Sequence, residues 1–255
     1  MLFLDVQGTL ISDKDKSLIA GAKELLSLLN RKNIPYVIIT NNTKDLNFLE
    51  NLRQKGLEIK DGAYLDPFCV LNSYLKPCKV AAFGADEFIK SLCDLGFYLD
   101  FERAEAVLVA SYDDFKFKDF AKMIELAQKG VKFIAMHETS LYKKDGFLYP
   151  GVGSVMAMLK NATNLSYEVV GKPSKAFYEE ALRLISLQKN GLKFSDITII
   201  SDDFKGDLLK AYALKMRLIL VLSGKIKSLE GLDSEILSGV YESVLEFKEE
   251  FLCQI

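Results

Sequence analysis

What most constrains this chain is a rhythm. Short apolar runs, closed by small polar or acidic residues, alternate with stretches whose apolar residues recur at helical spacing. The first run, Leu2-Phe3-Leu4, ends in Asp5, and a turn through Gly8 and Thr9 follows. Leu18, Ala22, Leu25, Leu26 and Leu29 then mark an amphipathic helix, with Ser17 as its expected N-cap. Pro35 to Thr40 reads as a second buried strand. Leu46, Leu49 and Leu52 mark a second helix, which Gly56 stops. A short strand at Ala63–Leu65 is expected to close this segment at Pro67. Such alternation predicts an α/β fold with a parallel sheet and right-handed crossovers.

The middle of the chain repeats the alternation on a smaller scale. Strands are expected at Val80–Phe83, Ala106–Ala110 and Val131–Met136, with helices around Phe88–Leu92 and Phe120–Ala127. A loop is expected to carry His137, Glu138, Lys143, Lys144, Asp145 and Gly146. Pro150-Gly151-Val152-Gly153 then opens a helix through Leu159. Farther on, Val169-Val170 leads through Gly171-Lys172-Pro173-Ser174 into a helix bearing Phe177, Ala181, Leu184 and Ile185. Ile197–Ser201 is a strand ending in Asp202-Asp203, and Asp207 starts a helix. Leu218–Leu222 and Gly239–Leu245 are read as the last two strands.

Composition narrows the function. The 255 residues are 49% hydrophobic and carry a net charge of −2, so a sizeable core is available and no basic face is implied. Nucleic acid and anionic membrane are poor partners for such a chain. No run is long enough to span a bilayer, and no leader is expected before the first strand. The four cysteines (Cys69, Cys78, Cys93, Cys253) form no C-x-x-C pair, and there is one histidine to join them. A zinc site is disfavoured, and a reduced, cytosolic setting is expected.

The chemistry lies at the strand ends. Asp5, Thr40 and Asp202 each end an apolar strand, and Lys172 follows a short apolar run. If these strands lie side by side, the four groups converge. A carboxylate can attack phosphorus. A hydroxyl and backbone N–H groups at a helix start can hold phosphate oxygens. A lysine can neutralise the transferring group. Paired carboxylates beside phosphate suit Mg²⁺, a hard ion that prefers oxygen. Each signal has a plainer reading as a turn, cap or surface residue, and only their order and shared placement favour chemistry.

In that order the residues resemble the haloacid dehalogenase superfamily of phosphatases. The matching motifs are Asp5-Val6-Gln7-Gly8-Thr9, Thr40, Lys172 and the run from Ser201-Asp202 to Asp207. Thr40-Asn41-Asn42, Pro150-Gly151-Val152-Gly153 and Val170-Gly171-Lys172-Pro173-Ser174 are most similar to its IIA branch, which includes phosphoglycolate- and nitrophenylphosphatase-like proteins. The resemblance implies a Rossmann-like core, residues 1–71 and 169–255, interrupted by an α/β cap at 72–168. It implies Asp5 as the nucleophile of a phosphomonoester hydrolase, forming an aspartyl-phosphate. Mg²⁺ would be held by Asp5, the main-chain carbonyl of Gln7, and Asp202, with Asp203 or Asp207 behind them. Thr40, Asn41, Asn42 and Lys172 would bind the phosphoryl group of a small phosphorylated metabolite. Gly8 would turn the backbone beneath it, and the cap would be a possible dimer contact.

One position departs from the pattern. The family's second aspartate, which trades protons with the leaving oxygen and the attacking water, is Gln7 here. An amide hydrogen-bonds but does not exchange protons near neutral pH. The implied outcome is retained binding with impaired proton transfer. The alternative is a catalytically weak or inactive protein that binds a phospho-ligand for regulation. His137, where relatives often carry a cap-loop motif, is open between packing and substrate contact.

Overall fold

The computed structural model describes residues 1–144 and 146–252; Asp145, expected in the polar loop, and Cys253 lie outside them. In chain order the elements are β1 (Leu2–Asp5), α1 (Ala22–Arg31), β2 (Tyr36–Ile39), α2 (Phe48–Gln54), β3 (Tyr64–Leu65), α3 (Pro67–Tyr74), β4 (Lys79–Phe83) and α4 (Asp86–Asp94). Next come β5 (Tyr98–Leu99), β6 (Ala106–Val109), α5 (Phe117–Gln128), β7 (Lys132–Ala135), β8 (Leu141–Lys144), β9 (Phe147–Pro150) and α6 (Val152–Thr163). The chain ends with β10 (Tyr167–Val169), α7 (Lys175–Gln188), β11 (Thr198–Ser201), α8 (Leu209–Ala213), β12 (Arg217–Val221), β13 (Gly239–Tyr241) and α9 (Val244–Leu252). It divides into two compact units, Met1–Thr40 with Asn47–Leu65 and Tyr178–Ile255, and Asn41–Leu46 with Asp66–Phe177.

The first unit is built on a six-stranded sheet in the order β13-β12-β11-β1-β2-β3. Every pairing in it is parallel. The chain steps outward from β1 through β2 and β3, then resumes on the other side of β1 with β11, β12 and β13. β1 is therefore where the strand order reverses. In open α/β sheets, ligands bind beyond the carboxyl ends of strands at that point. α1 buries Ala22, Leu25, Leu26 and Leu29 against Leu2, Leu4, Tyr36 and Ile38 of the sheet. That stripe is the helical spacing read in the sequence, now facing apolar strands.

Two local expectations change. Ser17 is not the N-cap of α1, which begins at Ala22 after Gly21. The chain before it runs through two turns, with Ile11 bridged to Leu18, and the Ser17 hydroxyl donates to Asp15 Oδ1 at 2.7 Å. The strand expected at Gly239–Leu245 stops at Tyr241, and Val244 already lies in α9. Val244 and Phe247 then join the same core from a helix.

The second unit holds a five-stranded sheet in the order β10-β7-β6-β4-β5, again parallel throughout. Its core joins Ala81, Val107, Val109, Phe133 and Ala135 of the strands to Met123 and Leu126 of α5 and Val155, Met156 and Leu159 of α6. This unit is wider than 72–168. Pro67, read as a stop, is the first residue of α3, whose N-cap Asp66 accepts from Cys69 N–H at 3.0 Å. Proline suits that position because its missing N–H would have no helical partner there. Phe68 of α3 stacks on Phe88 of α4, with centroids 6.1 Å apart. The expected loop after His137 contains the antiparallel hairpin β8–β9. The architecture is thus α/β, a Rossmann-like parallel sheet with a second α/β unit inserted into its sequence. Among the described residues no helix is long and apolar enough to cross a membrane.

Candidate active site

In the first unit, three neighbouring strands present their carboxyl ends together. Leu4 pairs with Ile200 and Asp5 with Ile39, so Asp5, Thr40 and Asp202 stand at adjacent ends of β1, β2 and β11. All three are buried. The turn after Asp5 is closed by Gly8 N–H on Ile11 O at 2.8 Å and Leu10 N–H on Val6 O at 2.8 Å. The turn carries Thr9 back under the strand, where its hydroxyl donates to Asp5 Oδ2 at 3.4 Å. Gly8 has φ +75°, a conformation that side chains rarely adopt, and a Cβ there would overlap the Asp202 carboxylate.

Gln7 is bound to the second strand end. Thr40 Oγ1 donates to Gln7 Oε1 at 2.9 Å. The amide thus accepts a hydrogen bond but neither takes up nor releases a proton near neutral pH. On the other side, Asp203 caps the turn into α8 by accepting from Gly206 N–H at 2.8 Å. Ser201 Oγ donates to Asp207 Oδ2 at 2.7 Å and accepts from Asp203 N–H at 3.1 Å. Ser201, at the position where the family motif has glycine, therefore ties two of the three aspartates together.

A segment that sequence reading missed completes this end of the sheet. After β12, Ser223 Oγ donates to Gly8 O at 2.7 Å, and Lys225 N–H donates to Asp202 Oδ2 at 2.5 Å. The Lys225 ammonium is paired with Asp203. A Cβ on Gly224 would overlap the Asp202 carboxylate, so only glycine lets this loop pass so close. The Asp202 carboxyl is pushed up to about 8, first by burial and then by the Asp5 carboxylate; the Lys225 N–H and ammonium pull it back in part. Carboxylate pairs shift each other in this direction because both ionise only at a Coulomb cost.

Three of the four expected strand ends belong to this sheet. The fourth does not. The strand before Lys172 is β10, which pairs with β7 in the second unit. Lys172 is buried and joined to Pro173 by a cis peptide bond. Asn41 lies in the same unit, and its side chain is bonded to the Lys172 main chain. Asn42 closes its own turn, with Nδ2 donating to Asp45 O at 2.7 Å. His137 is buried, with Nε2 3.0 Å from Ser111 Oγ. Glu138 accepts from the Tyr167 hydroxyl at 2.7 Å. Burial, reinforced by that carboxylate, pushes the phenol up to about 12.

The donor set of the first unit fits a small hard cation. Asp5 and Asp202 are buried carboxylates, burial and then the Asp5 charge raise the Asp202 carboxyl, and the Gln7 carbonyl lies in the adjoining turn. Among the described residues no three His, Cys, Asp or Glu side chains gather as a metal cluster. Two carboxylates and a carbonyl leave positions for water, which Mg²⁺ keeps more readily than Ca²⁺ or Zn²⁺.

Comparison with known proteins bears on the family and the fold. Residues 2–98 match the family described as haloacid dehalogenase-like hydrolase, and residues 169–246 match the related HAD-hydrolase-like family. An acid sugar phosphatase of Staphylococcus aureus is 24% identical over 93% of this chain and 92% of its own. The haloacid dehalogenase-like hydrolase domain-containing protein 2 of Pongo abelii is 27% identical over 89% of this chain and 85% of its own. Among solved structures, p-nitrophenyl phosphatase from Archaeoglobus fulgidus superposes with a TM-score of 0.82 at 24% identity, covering 98% of each chain. NagD from E. coli K-12 gives 0.76 at 23% identity over 96% of each. The chain belongs to the haloacid dehalogenase-like hydrolases. It is an enzyme of the HAD type.

Proposed function

We propose that this hydrolase is a Mg²⁺-dependent phosphatase of the IIA branch, acting on a small phosphorylated metabolite through an aspartyl-phosphate on Asp5. The observation that carries the reading is the buried pair Asp5 and Asp202 at the strand-order reversal, with Thr40 beside them. Asp5 attacks phosphorus, an acyl-phosphate bond forms, and the substrate oxygen leaves with the electron pair of the broken P–O bond. Water then attacks the phosphoryl group, returning free phosphate and the Asp5 carboxylate. Asp5, Asp202 and the Gln7 carbonyl would hold Mg²⁺, which would supply the positive charge that lets a carboxylate approach a phosphate dianion. Asp203 and Asp207 brace that site through Lys225 and Ser201. Thr40 and Lys172, with main-chain N–H groups of the Asn41-Asn42 segment, hold the phosphoryl oxygens. The inserted unit selects the substrate.

Gln7 sets the limit on rate. With no acid at that position, leaving groups that depart without a proton are favoured, and attack by water is slowed. General acid–base help is worth roughly 10²–10⁴ in rate, or about 3–5 kcal/mol of barrier. Testing a panel of phosphomonoesters with Mg²⁺ checks the reading. Release of phosphate, faster from p-nitrophenyl phosphate than from alkyl phosphates, is expected. Phosphate binding without release from any donor would make the chain a phospho-ligand-binding protein instead.

A further inference from the structure

The second unit contains a hydrogen-bonded clamp on one residue's main chain. Asn41 Oδ1 accepts from Lys172 N–H at 2.8 Å, and Asn41 Nδ2 donates to Lys172 O at 3.3 Å. The carboxamide therefore meets both polar groups of the Lys172 backbone, as a neighbouring strand would. The same carbonyl accepts from Glu138 N–H at 3.1 Å. Glu138 sits in a turn held by His137, whose Nδ1 accepts from Thr139 N–H at 3.3 Å. An Nδ1 that accepts carries no proton, so the ring proton is on Nε2 and points at Ser111 Oγ, 3.0 Å away. Asn41 Nδ2 also reaches Thr139 Oγ1 at 3.5 Å, which links the two halves. Gly171 permits the approach: a Cβ there would overlap Met136 O and come within 2.8 Å of Asn41 Oδ1.

We infer that Asn41 is a positioning residue for Lys172, acting through the lysine backbone rather than through its own side chain on the phosphoryl oxygens, and that His137 is the strut behind the clamp. The inference rests on the proposed role of Lys172 as the cation facing the phosphoryl group. A lysine is a point charge on a flexible four-carbon stem. Fixing both polar groups of its backbone removes freedom at the root of that stem, and small misplacements of a reacting group are costly in rate. Asparagine suits the task because its carboxamide sets an acceptor and a donor in the geometry of a peptide group and has a second N–H left for Thr139.

Two measurements test it. The first is amide hydrogen exchange at Lys172 in the full-length protein. Asn41→Ala is expected to accelerate exchange at Lys172 while β6 and β7 keep their protection. Asn41→Asp, which retains the acceptor, is expected to restore protection at that amide. Unchanged exchange at Lys172, or loosening spread evenly over the unit, would overturn the clamp. The second is a double-mutant cycle on p-nitrophenyl phosphate hydrolysis with Asn41→Ala and Lys172→Ala. Asn41→Ala is expected to lower kcat/KM by up to about 10²-fold in the wild-type background, and by far less once Lys172 is already alanine. Equal losses in both backgrounds would show that Asn41 acts on substrate directly and would overturn the inference. If the wild type hydrolyses nothing, the phosphatase reading fails by itself. The cycle is then read on thermal stabilisation by inorganic phosphate, with the same non-additivity required.

Discussion

At the scale of single residues, Gln7 and Asp202 decide most of the expected behaviour. Gln7 meets Thr40 through an amide oxygen, and Gln7→Asp replaces that amide with a shorter carboxyl group able to exchange protons. The substitution is expected to raise turnover of alkyl phosphates by roughly 10²–10⁴, with a smaller gain on p-nitrophenyl phosphate, as steady-state kinetics on both substrates would show. Asp202 makes a prediction in pH. Its carboxyl stands at about 8 in the folded protein, well above the ordinary 3.8 it regains on unfolding. The folded state therefore holds the extra proton between those values, and stability should fall as pH rises through that window. A divalent cation must displace this proton. The rise in Tm on adding Mg²⁺ should accordingly be larger near pH 8.5 than near pH 6, and a shift independent of pH would contradict the assignment. Asp5, Thr40 and Asp202 were readable in the sequence because each ends an apolar run. The bond from Ser201 to Asp207 was not, since serine after a strand carries no signal of its partner.

Among elements, the loop after β12 has the largest effect on the site and the weakest sequence signature. Its contact with Asp202 is made by the Lys225 main-chain N–H, and backbone donors are the same whatever the side chain. Gly224 is expected to be intolerant. In Gly224→Ala the added methyl would overlap the Asp202 carboxylate, and overpacking of that kind costs about 1–3 kcal/mol. The variant should unfold earlier in denaturant and lose most of its stabilisation by Mg²⁺. The longer parallel strands of both sheets were legible because buried strands are apolar on both faces; β5, whose Tyr98 and Leu99 are exposed, was not. The β8–β9 hairpin was not. Leu141, Phe147 and Leu148 are exposed, so no buried face imposes a pattern on it. β10 was also obscured, since a three-residue strand gives too short an apolar run to show which sheet it joins.

For the whole molecule, the sequence order of the motifs carries more information than any one of them. Asp5, Thr40 and Asp202 come from distant parts of the chain, and the reversal of strand order at β1 is what gathers them. Lys172 was expected on the same sheet, and its place in the second unit follows from β10 pairing with β7. The account depends on Asp5 being phosphorylated in turnover. The direct measurement is to incubate the protein with Mg²⁺ and p-nitrophenyl phosphate, quench in acid, and locate phosphate by peptide mass spectrometry. The account predicts an acid-stable, base-labile phosphate on Asp5, absent in Asp5→Asn and accumulating more in wild type than in Gln7→Asp. Steady release of phosphate with no adduct on Asp5, undiminished in Asp5→Asn, would contradict it.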